Sequence, residues 1–348
     1  MKKRTTTSRK RDHVELTVKK NVSFKAKTTG FEEWEFVHNA LPEINLSDID
    51  TSTTFLGKKL SFPFLISCMT GGYPEAEKIN RQLAEVCEEY HLAMGVGSQR
   101  QAMEDRTYHR SFSTARTSAP SIPLIGNIGA PEVAMMKDIS AIQKLADLIG
   151  ADAFAVHLNP LQEFLQPEGN TNFRGVLNGI EKLVKGLSIP VIVKEIGAGI
   201  SFDVAKRLTN VGVRYIDVAG AGGTSWAGVE ILRRKDNEDV DWNPFWDWGI
   251  RTTDVLQEVV QLKNNFPELR IISSGGISNG IECAQSIALG ADMTASARPM
   301  LKALISGGKK ELRKKIEQII LECKGAMFLI GISSVKKLQF TKALRRKD

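Results

Sequence analysis

The sequence predicts an α/β protein built as a (β/α)8 TIM barrel, with an N-terminal leader before the barrel and a C-terminal helix after it. Eight strand-like runs alternate with helical patterns over about 260 residues, a usual length for such a barrel. Seven of these runs are apolar throughout rather than alternating, which is typical of parallel strands buried on both faces. A doubly wound parallel sheet is the competing architecture, and it is disfavoured because no G-x-G-x-x-G motif follows any strand-like run.

The strand-like runs and the helical patterns follow one another in order along the chain. The strand-like runs are FPFLISCMTGG, LAMGVGSQR, PLIGNIGA, ADAFAVHLNP, PVIVKEIGAG, RYIDVAGAGGTSW, RIISSGGIS and ADMTASARP. The helical patterns are EKINRQLAEVCEEY, AIQKLADLIG, GVLNGIEKLVKGL, SFDVAKRLTNVG, TTDVLQEVVQLKNNF and GIECAQSIALG. We therefore expect residues 1–60 to form a leader and residues 61–348 to form the barrel with its C-terminal helical extension.

A long irregular insert, residues 226–250, follows the sixth strand-like run. It contains WNPFWDW, with three tryptophans in seven residues, and such a composition argues against disorder. Long loops in compact domains are usually functional. We expect either a lid over the mouth of the barrel, which we prefer, or a contact between subunits.

The positive charge of the chain is concentrated at its two ends. The net charge is +7, of which residues 1–13 contribute +5 and residues 342–348 contribute +3, so the remainder carries −1. A neutral body argues against a broad nucleic-acid-binding face. A basic-tailed protein that binds nucleic acid or a membrane surface is therefore the weakest of the functions considered.

Cysteine usage and hydropathy indicate the compartment. The four cysteines lie far apart, with no C-x-x-C spacing, which is typical of a reducing environment. No apolar run reaches the ~18 residues that a membrane span needs, and no apolar region of a secretory signal follows the basic start. We expect a cytoplasmic protein with neither a membrane nor a nucleic-acid partner.

The loops that follow the strands build the active site of a barrel of this kind. The turns GAGGTSW, SSGGIS and ASARP follow the sixth, seventh and eighth runs, and backbone amides in such turns suit a phosphate; plain tight turns are the alternative. Lys194 lies in a buried run and needs a partner, either an electron-rich ligand or Glu195. Lys194, Asn127 and Ser98 would surround a flat ligand with polar groups, and the glycine turns would bind a phosphate. FMN requires both features.

The loop HLNPLQEFLQPEGN, residues 157–170, is unusually rich in hydrogen-bonding side chains. Its prolines and amides break both helix and strand. Taken alone, it is as easily a solvated connection as part of a site.

Several motifs together resemble those of the type 2 isopentenyl-diphosphate isomerases, which are FMN-dependent barrels that interconvert isopentenyl and dimethylallyl diphosphate. The motifs are MTGG, GVGSQR, HLNPLQE with QPEG, KEIGAGIS, DVAGAGGTSW and SGGI, in this order. The resemblance extends from RKRDH near the start to ARP at the eighth strand. HLNPLQE and GAGGTSW are far more specific than a glycine motif alone.

The resemblance implies which residues bind FMN. They are Cys68, Met69, Thr70, Ser98, Asn127, Lys194, Thr224, Gly275, Gly276, Ile277, Ala297 and Arg298. One departure is visible at Ser278, where many members of the family carry arginine. A possible guanidinium clamp on the phosphate is missing there, which Arg298 could replace.

The resemblance also implies a substrate site, and gives the basic start and the polar loop a role. The expected diphosphate and substrate contacts are Arg9, Lys10, His13, Ser98, Gln99, Arg100, His157, Asn159 and Gln162. Glu163 is the expected ligand of Mg²⁺, which prefers one or two carboxylates together with phosphate oxygens and water. Residues 1–60 would then include a segment that closes over the substrate.

The expected reaction moves a proton between two carbons with no net oxidation. The resemblance implies reduced FMN as the principal acid and base, with Gln162 and His157 as positioning or relay groups. NADPH or another reductant would prime the flavin, and the absence of a dinucleotide fingerprint fits a visiting reductant. The resemblance also implies a homo-oligomer, a tetramer or octamer.

Two other FMN or barrel enzymes are alternatives. An oxidase or dehydrogenase of the 2-hydroxy-acid type needs a His–Arg pair, and SSGGIS carries no histidine. An enzyme like IMP dehydrogenase needs a nucleophilic cysteine in a barrel loop, and the loop after the sixth run has none. Both are disfavoured.

Overall fold

The computed structural model describes residues 6–234 and 240–347. Strands and helices are numbered in chain order. The strands are β1 (Trp34–Phe36), β2 (Thr53–Phe55), β3 (Lys58–Leu60), β4 (Phe64–Ile66), β5 (Ala93–Gly95), β6 (Leu124–Gly129), β7 (Ala153–His157), β8 (Val191–Lys194), β9 (Tyr215–Asp217), β10 (Arg270–Ser273), β11 (Met293–Ser296) and β12 (Leu344–Arg346).

The α-helices surround these strands. They are α1 (Thr6–Lys19), α2 (Ala76–Glu89), α3 (Arg100–Glu104), α4 (Arg110–Ser118), α5 (Ala130–Met135), α6 (Ser140–Ile149), α7 (Pro160–Leu165), α8 (Val176–Gly186), α9 (Phe202–Asn210), α10 (Trp226–Arg233), α11 (Thr252–Val260), α12 (Gly280–Ala288), α13 (Arg298–Leu329) and α14 (Val335–Leu338). Helix α13 is kinked where Gly307 and Gly308 leave helical geometry.

Strands β4 to β11 close into a parallel barrel, in which β11 pairs with β4. The predicted (β/α)8 fold is confirmed. Residues on β6 are buried along its whole length, because each barrel strand packs on the interior with one face and on helices with the other. The register places Lys194 beside His157 on one side and beside Asp217 on the other, so three polar side chains meet at the carboxyl ends of neighbouring strands.

The leader closes both ends of the barrel. The hairpin of β2 and β3 contributes Phe55 and Leu60 to the apolar cluster inside the barrel, which seals the end opposite the site. Strand β1 pairs with β12 in an antiparallel two-stranded sheet. Helix α1, which the sequence did not predict, packs against α10 and α13.

The described part of the insert, residues 226–234 and 240–250, packs against the leader. The carboxylate of Asp247 accepts backbone N–H groups of Lys25 and Ala26 at 2.7 and 2.8 Å, and Trp246 Nε1 donates to Ser23 O at 2.9 Å. We expected the insert to form either a lid or a subunit contact. Neither expectation included a contact between the insert and the leader. Residues 235–239 of the insert lie outside the described residues, as do residues 1–5 and Asp348 of the basic termini.

Two helices, α3 and α4, occupy the connection between β5 and β6, where no helix was predicted. In residues 6–234 and 240–347, no helix combines the length and the apolar character that a membrane crossing requires.

Candidate active site

Two adjoining cavities lie at the carboxyl ends of the barrel strands. The larger has a volume of about 350 Å³ and the smaller of about 130 Å³. They share wall residues, including Cys68, Met69, Lys194 and Trp226. The site is therefore a single cleft with two compartments.

The larger compartment has a wall of glycine turns. The predicted cofactor residues that line it are Cys68, Met69, Lys194, Thr224, Gly275, Gly276, Ile277, Ala297 and Arg298. Gly276 has a φ of +85°, and a Cβ there would lie 2.9 Å from Gly223 N. The two turns thus pack backbone against backbone, which leaves no room for side chains between them.

The smaller compartment has a wall that combines charged residues with neutral polar ones. The predicted residues that line it are Arg9, Lys10, His13, Cys68, Met69, Thr70, Ser98, Arg100, Asn127, His157, Asn159, Gln162, Glu163 and Lys194. The structure thus brings residues from α1 together with residues from the ends of five barrel strands. The residues predicted to bind the cofactor and those predicted to bind the substrate must lie side by side, and this arrangement brings them together.

Gln99 is the predicted substrate residue that neither cavity includes. Its side chain is fully buried; its Nε2 donates to Leu145 O at 2.8 Å, and its Oε1 accepts from Asn127 N at 3.1 Å. These two bonds hold the side chain in the barrel wall, because Gln99 lies at the start of α3, where the backbone has left the extended geometry of β5. Its position does not support a contact with substrate.

Helix α1 brings two cations to the smaller compartment. Lys10 Nζ donates to Ser98 O at 2.7 Å. Burial, together with the charges of Arg9 and Arg100, lowers the pKa of Lys10 to about 7. Burial also lowers the pKa of Arg9, and the charge of Arg100 adds to the effect. Clustered cations that repel one another are stabilised by an anion between them.

Arg100, the third cation, is paired with carboxylates. It lies 3.1 Å from Glu104 Oε1 and 3.0 Å from Glu132 Oε1. Glu132 lines the smaller compartment, and burial raises its pKa. Glu132 was not predicted from the sequence; helix α5, which directly follows β6, brings it into the site.

His157 is neutral in this environment. Burial, with the charges of Lys194 and Lys10, lowers its pKa to about 3. Its Nδ1 lies 2.9 Å from Asn127 Oδ1, so Nδ1 carries the proton that this carbonyl oxygen accepts. The other ring nitrogen is then an acceptor.

Glu163 lies in α7, a short helix inside the segment that the sequence predicted to be a loop; that prediction was wrong for residues 160–165, because proline is tolerated in the first turn of a helix. Its Oε1 accepts from Asn159 Nδ2 at 2.9 Å and its Oε2 from Asn170 N at 2.6 Å. Asn159 is 2% exposed, and its Oδ1 has no hydrogen-bond partner within the described residues. A buried carbonyl oxygen without a donor indicates a missing ligand.

Gln162 is oriented by a carboxylate that sequence analysis missed. Its Nε2 donates to Glu230 Oε1 at 3.2 Å. Glu230 is completely buried, accepts from His13 Nε2 at 2.7 Å and is bonded to Arg233. Burial would raise the pKa of Glu230, but the hydrogen bond from His13 and the charge of Arg233 prevail and lower it to about 2.

Arg233 extends this network to the polar loop, because its Nη2 donates to Glu168 Oε1 at 2.8 Å. The network therefore joins α1, α10 and the loop after β7. An acidic side chain inside the apolar pattern AGVEIL was a signal for it, since a buried carboxylate needs a partner.

The partner of Lys194 is not the carboxylate of Glu195. Lys194 Nζ lies 3.6 Å from Asp217 Oδ2 and donates to the backbone oxygen of Glu195 at 2.5 Å. The Glu195 carboxylate turns away and accepts the N–H groups of Ile196 and Gly197 at 2.6 Å. The alternative of a Lys194–Glu195 ion pair was wrong, because adjacent strand residues face opposite sides. The charged Asp217 within a buried strand was the signal for its role.

Arg298 is a cation at the phosphate end of the larger compartment, and its guanidinium binds the leader. Its three nitrogens donate to Thr17 O at 2.7 Å, Lys20 O at 2.9 Å and Ser23 Oγ at 3.0 Å. Ser278 is bonded to Glu282, through its N–H at 2.7 Å and its hydroxyl at 3.1 Å. The missing arginine at this position is thus replaced by a tight turn rather than by a second cation.

Comparison with known proteins agrees with this site. The family model of the FMN-dependent dehydrogenases matches residues 2–114 and 146–345. The isopentenyl-diphosphate delta-isomerase of Chlorobium phaeobacteroides is 47% identical over 344 residues, which cover 96% of this chain and 94% of that protein. The isomerase of the same name from Sulfurisphaera tokodaii is 42% identical over 98% of this chain and 92% of its own length.

The chain belongs to the isopentenyl-diphosphate delta-isomerase family. The resemblance inferred from HLNPLQE and GAGGTSW is thereby confirmed. The match to the FMN-dependent dehydrogenase model covers most of the chain, so the chain belongs to that wider family as well.

Solved structures share the fold at low identity. A lactate oxidase of Pediococcus acidilactici superimposes with a TM-score of 0.70 at 16% identity, over 100% of this chain and 96% of that chain. A flavocytochrome b2 superimposes with a TM-score of 0.69 at 17% identity, over 96% and 82%. At such identities the likeness establishes the barrel and says nothing about the substrate of this isomerase family member.

Proposed function

We propose that this protein interconverts isopentenyl and dimethylallyl diphosphate, with FMN in the larger compartment and the substrate diphosphate in the smaller. The observation that carries the proposal is the shared wall of the two compartments. Because Met69, Lys194 and Trp226 border both, a flavin ring and a prenyl chain would be in contact there. Family membership supplies the reaction.

The larger compartment suits FMN. The turn at Gly275 and Gly276 presents backbone where a phosphate would lie, and Arg298 supplies positive charge at the same end. The pair of Lys194 and Asp217 lies at the opposite, ring end. Reduced FMN, when bound, would supply an electron-rich ring beside the alkene and a nitrogen that can donate and accept a proton.

The smaller compartment suits a diphosphate. Arg9, Lys10 and Arg100 face one small cavity, and guanidinium groups bind phosphate oxygens bidentately. The burial that lowers the pKa of Lys10 to about 7 is offset when a diphosphate enters. His13 is fixed by its bond to Glu230 and so anchors α1 above the substrate. Residues 1–60 thus contain the proposed closing segment.

The chain's own polar groups hold the prenyl part in place. Gln162, fixed by Glu230, lies in the wall of the smaller compartment. His157 remains neutral and, with its Nδ1 occupied by Asn127, offers Nε2 as an acceptor. Both residues orient the substrate; we propose them as positioning or relay groups for the proton that moves between the two carbons.

Mg²⁺ is proposed on the basis of Glu163 and Asn159. No group of three or more His, Cys, Asp or Glu side chains suited to a metal occurs in residues 6–234 and 240–347. One carboxylate and one unpartnered carbonyl oxygen are what Mg²⁺ needs when substrate phosphates and water complete its shell. The metal would therefore bind with the diphosphate rather than before it.

NADPH, the oligomeric state and the compartment remain proposals. The chain has no dinucleotide fingerprint, which supports NADPH as a visiting reductant. The homo-oligomer, a tetramer or octamer, rests on family resemblance, and analytical ultracentrifugation tests it. The cytoplasmic location rests on the dispersed cysteines.

The test is an anaerobic assay of the purified protein with isopentenyl diphosphate, Mg²⁺ and NADPH, following dimethylallyl diphosphate. We expect a yellow protein whose turnover stops when EDTA is added or the reductant is omitted. Oxidation of a 2-hydroxy acid without isomerisation would contradict the proposal and restore the oxidase alternative. A protein that binds no FMN would contradict the assignment of the larger compartment.

Gln162→Ala tests the positioning role within that assay. We expect kcat to fall by a factor of 10 to 100, roughly the loss for one hydrogen bond to a buried group, while FMN binding is unchanged. Gln318→Ala is the matched control, because Gln318 is exposed on α13 and far along the chain from the site. Unchanged kcat and KM in Gln162→Ala would contradict the role.

A further inference from the structure

We infer that Arg298 is a positioning residue that fastens the C-terminal end of α1 to the phosphate end of the larger compartment and so holds Arg9 and Lys10 over the smaller one. The inference rests on the proposed function and extends it. It assigns Arg298 a second task besides the binding of a cofactor phosphate.

The contact of Arg298 with α1 is a complete clamp. Its Nε and Nη2 donate to Thr17 O and Lys20 O, and its Nη1 donates to Ser23 Oγ. The last carbonyls of a helix lack partners within it and carry partial negative charge. A planar guanidinium satisfies two of them at once, which a lysine cannot do.

The charge of Arg298 has no other protein partner in the described chain. None of the ion pairs formed within residues 6–234 and 240–347 includes Arg298, and burial lowers its pKa with no carboxylate to oppose the effect. The end of α1 therefore takes the place of a counterion. This arrangement explains why a desolvated arginine is stable there.

Arg298 holds the C-terminal end of α1, and the basic pair lies near the other end of this short helix. Lys10 is seven residues before Thr17, a distance of about 10 Å along a helix, and Lys10 Nζ is bonded to Ser98 O. His13, between them, is bonded to Glu230. Helix α1 is thus fixed at three points. We infer that Arg9 and Lys10 face the diphosphate compartment only while Arg298 holds the C-terminal end of the helix.

Arg298 also lies in the wall of the larger compartment. Arg298 lines that cavity together with Ala297 and Gly276. A guanidinium has five N–H donors, and the three bonds to the leader leave two for an anion. A phosphate in the cavity would therefore strengthen the clamp, so that cofactor binding and the docking of α1 are coupled.

The experiment measures the docking of α1 without turnover. Apo and FMN-loaded protein are digested with trypsin, and cleavage after Arg9, Lys10 and Arg11 is mapped by mass. In Arg298→Ala we expect cleavage at least about tenfold faster than in the wild type, the factor for one lost charge-assisted hydrogen bond. Arg298→Lys keeps the positive charge but lacks the planar guanidinium, so we expect its cleavage rate to lie between those of the wild type and Arg298→Ala. It also serves if the alanine variant fails to fold.

Lys302→Ala is the matched control. Lys302 lies one turn further along α13 and is exposed; it lines a surface groove with Lys19 and Arg298 and lines neither compartment of the cleft. Its loss removes one positive charge from the same surface and should leave the cleavage rate unchanged. Equal acceleration in both variants would overturn the inference, since net charge alone would then explain the effect.

The phosphate coupling has its own probe. FMN should slow cleavage of α1 in the wild type more than riboflavin does, because riboflavin lacks the phosphate, and the difference should vanish in Arg298→Ala. In the isomerase assay, Arg298→Ala should raise KM for isopentenyl diphosphate about tenfold with a smaller change in kcat. If Arg298→Ala lost affinity for FMN but kept the wild-type cleavage rate and KM, Arg298 would be a ligand of the cofactor phosphate only. That result would overturn the inference.

The two proposals fail in different ways. If the wild type does not isomerise the substrate, the proposed function fails, yet the cleavage contrast between Arg298→Ala and Lys302→Ala still decides the clamp. If the wild type isomerises and the contrast is absent, the clamp alone fails.

Discussion

Gln162 Nε2 and Glu230 Oε1 are joined by a hydrogen bond of 3.2 Å, which links the loop after β7 to the helix after β9. Glu230 also holds His13 and Arg233, so one buried carboxylate orients a residue of the polar loop and the helix that carries the basic pair. Breaking a buried ion pair by removing one partner is costly, because the other charge stays buried.

Glu230→Gln should therefore impair both folding and function. We expect a loss of about 3 kcal/mol in the free energy of unfolding, the usual cost of a broken buried pair, and a fall in kcat as Gln162 loses its anchor. Denaturant unfolding at pH 7 measures the first effect and the isomerase assay the second. Glu181→Gln, which removes a surface partner of Lys185, is the control; equal stability of the two variants would contradict the prediction.

The pH dependence of stability should report the same carboxylate. Because the pKa of Glu230 is lowered from 4.5 to about 2 in the folded protein, its contribution is present above about pH 4.5 and is lost as the pH falls from there toward 2. The stability difference between wild type and Glu230→Gln should therefore shrink over this window. A difference that stays constant from pH 6 to pH 2.5 would show that Glu230 does not titrate as expected.

Substrate affinity should weaken as the pH rises through 7. Lys10 has a pKa of about 7 without a diphosphate, so it is charged below pH 7 and loses its proton above. KM for isopentenyl diphosphate should rise from pH 7 to pH 9, and calorimetry in buffers of different ionisation enthalpy should show proton uptake on binding. Lys10→Arg stays charged throughout and should flatten the profile. A profile that Lys10→Arg leaves unchanged would assign the effect to another group.

His157 should stay neutral from pH 5 to pH 8, because burial and the charges of Lys194 and Lys10 lower its pKa to about 3. The ring resonances in a histidine-specific NMR spectrum should not shift over this range. The surface residue His38, which is exposed, is the internal comparison. A midpoint near pH 6.5 for His157 would mean that the cavity is wetter than the structure indicates.

Gly276→Ala should abolish retention of the flavin. The backbone there has a φ of +85°, and a Cβ would overlap the methyl group of Thr29 and approach Gly223 N at 2.9 Å. The purified variant should be colourless, while Gly325→Ala should keep its flavin. Gly325 lies in α13 with open space around it, so alanine there should stabilise the protein by about 0.5–1 kcal/mol. A yellow Gly276→Ala protein would contradict the proposed phosphate end.

Local patterns were sufficient to predict the barrel and the polar strand ends, whereas Arg9, Lys10 and Glu163 were expected only from the family resemblance. The alternation of strand and helix patterns predicts the barrel. In a barrel, residues such as Asn127 and Lys194 lie together at the carboxyl ends of the strands. Gln99 shows the limit of this reasoning, because the chain turns from β5 into α3 at this residue, and the motif GSQR does not say which side chain that turn directs into the barrel wall.

Pairings between distant segments could not be predicted. Glu230 and Asp217 find partners far along the chain, in α1 and β8, and nothing local to either residue names those partners. Helix α1 escaped prediction because its residues are largely polar, so it lacks the apolar stripe that marks a helix. Its order comes from contacts with Ser98, Glu230 and Arg298.

The pairing of β1 with β12 determines the order in which the leader can be completed. Trp34–Phe36 align with Leu344–Arg346, and a ribosome makes the second strand long after the first, at about 5–20 residues per second. For many seconds the emerging leader has no partner for β1, and the segment that carries the basic pair is attached to an unfinished edge. The two-stranded sheet that joins residues 34–36 to residues 344–346 can therefore form only after all eight barrel strands have been synthesised.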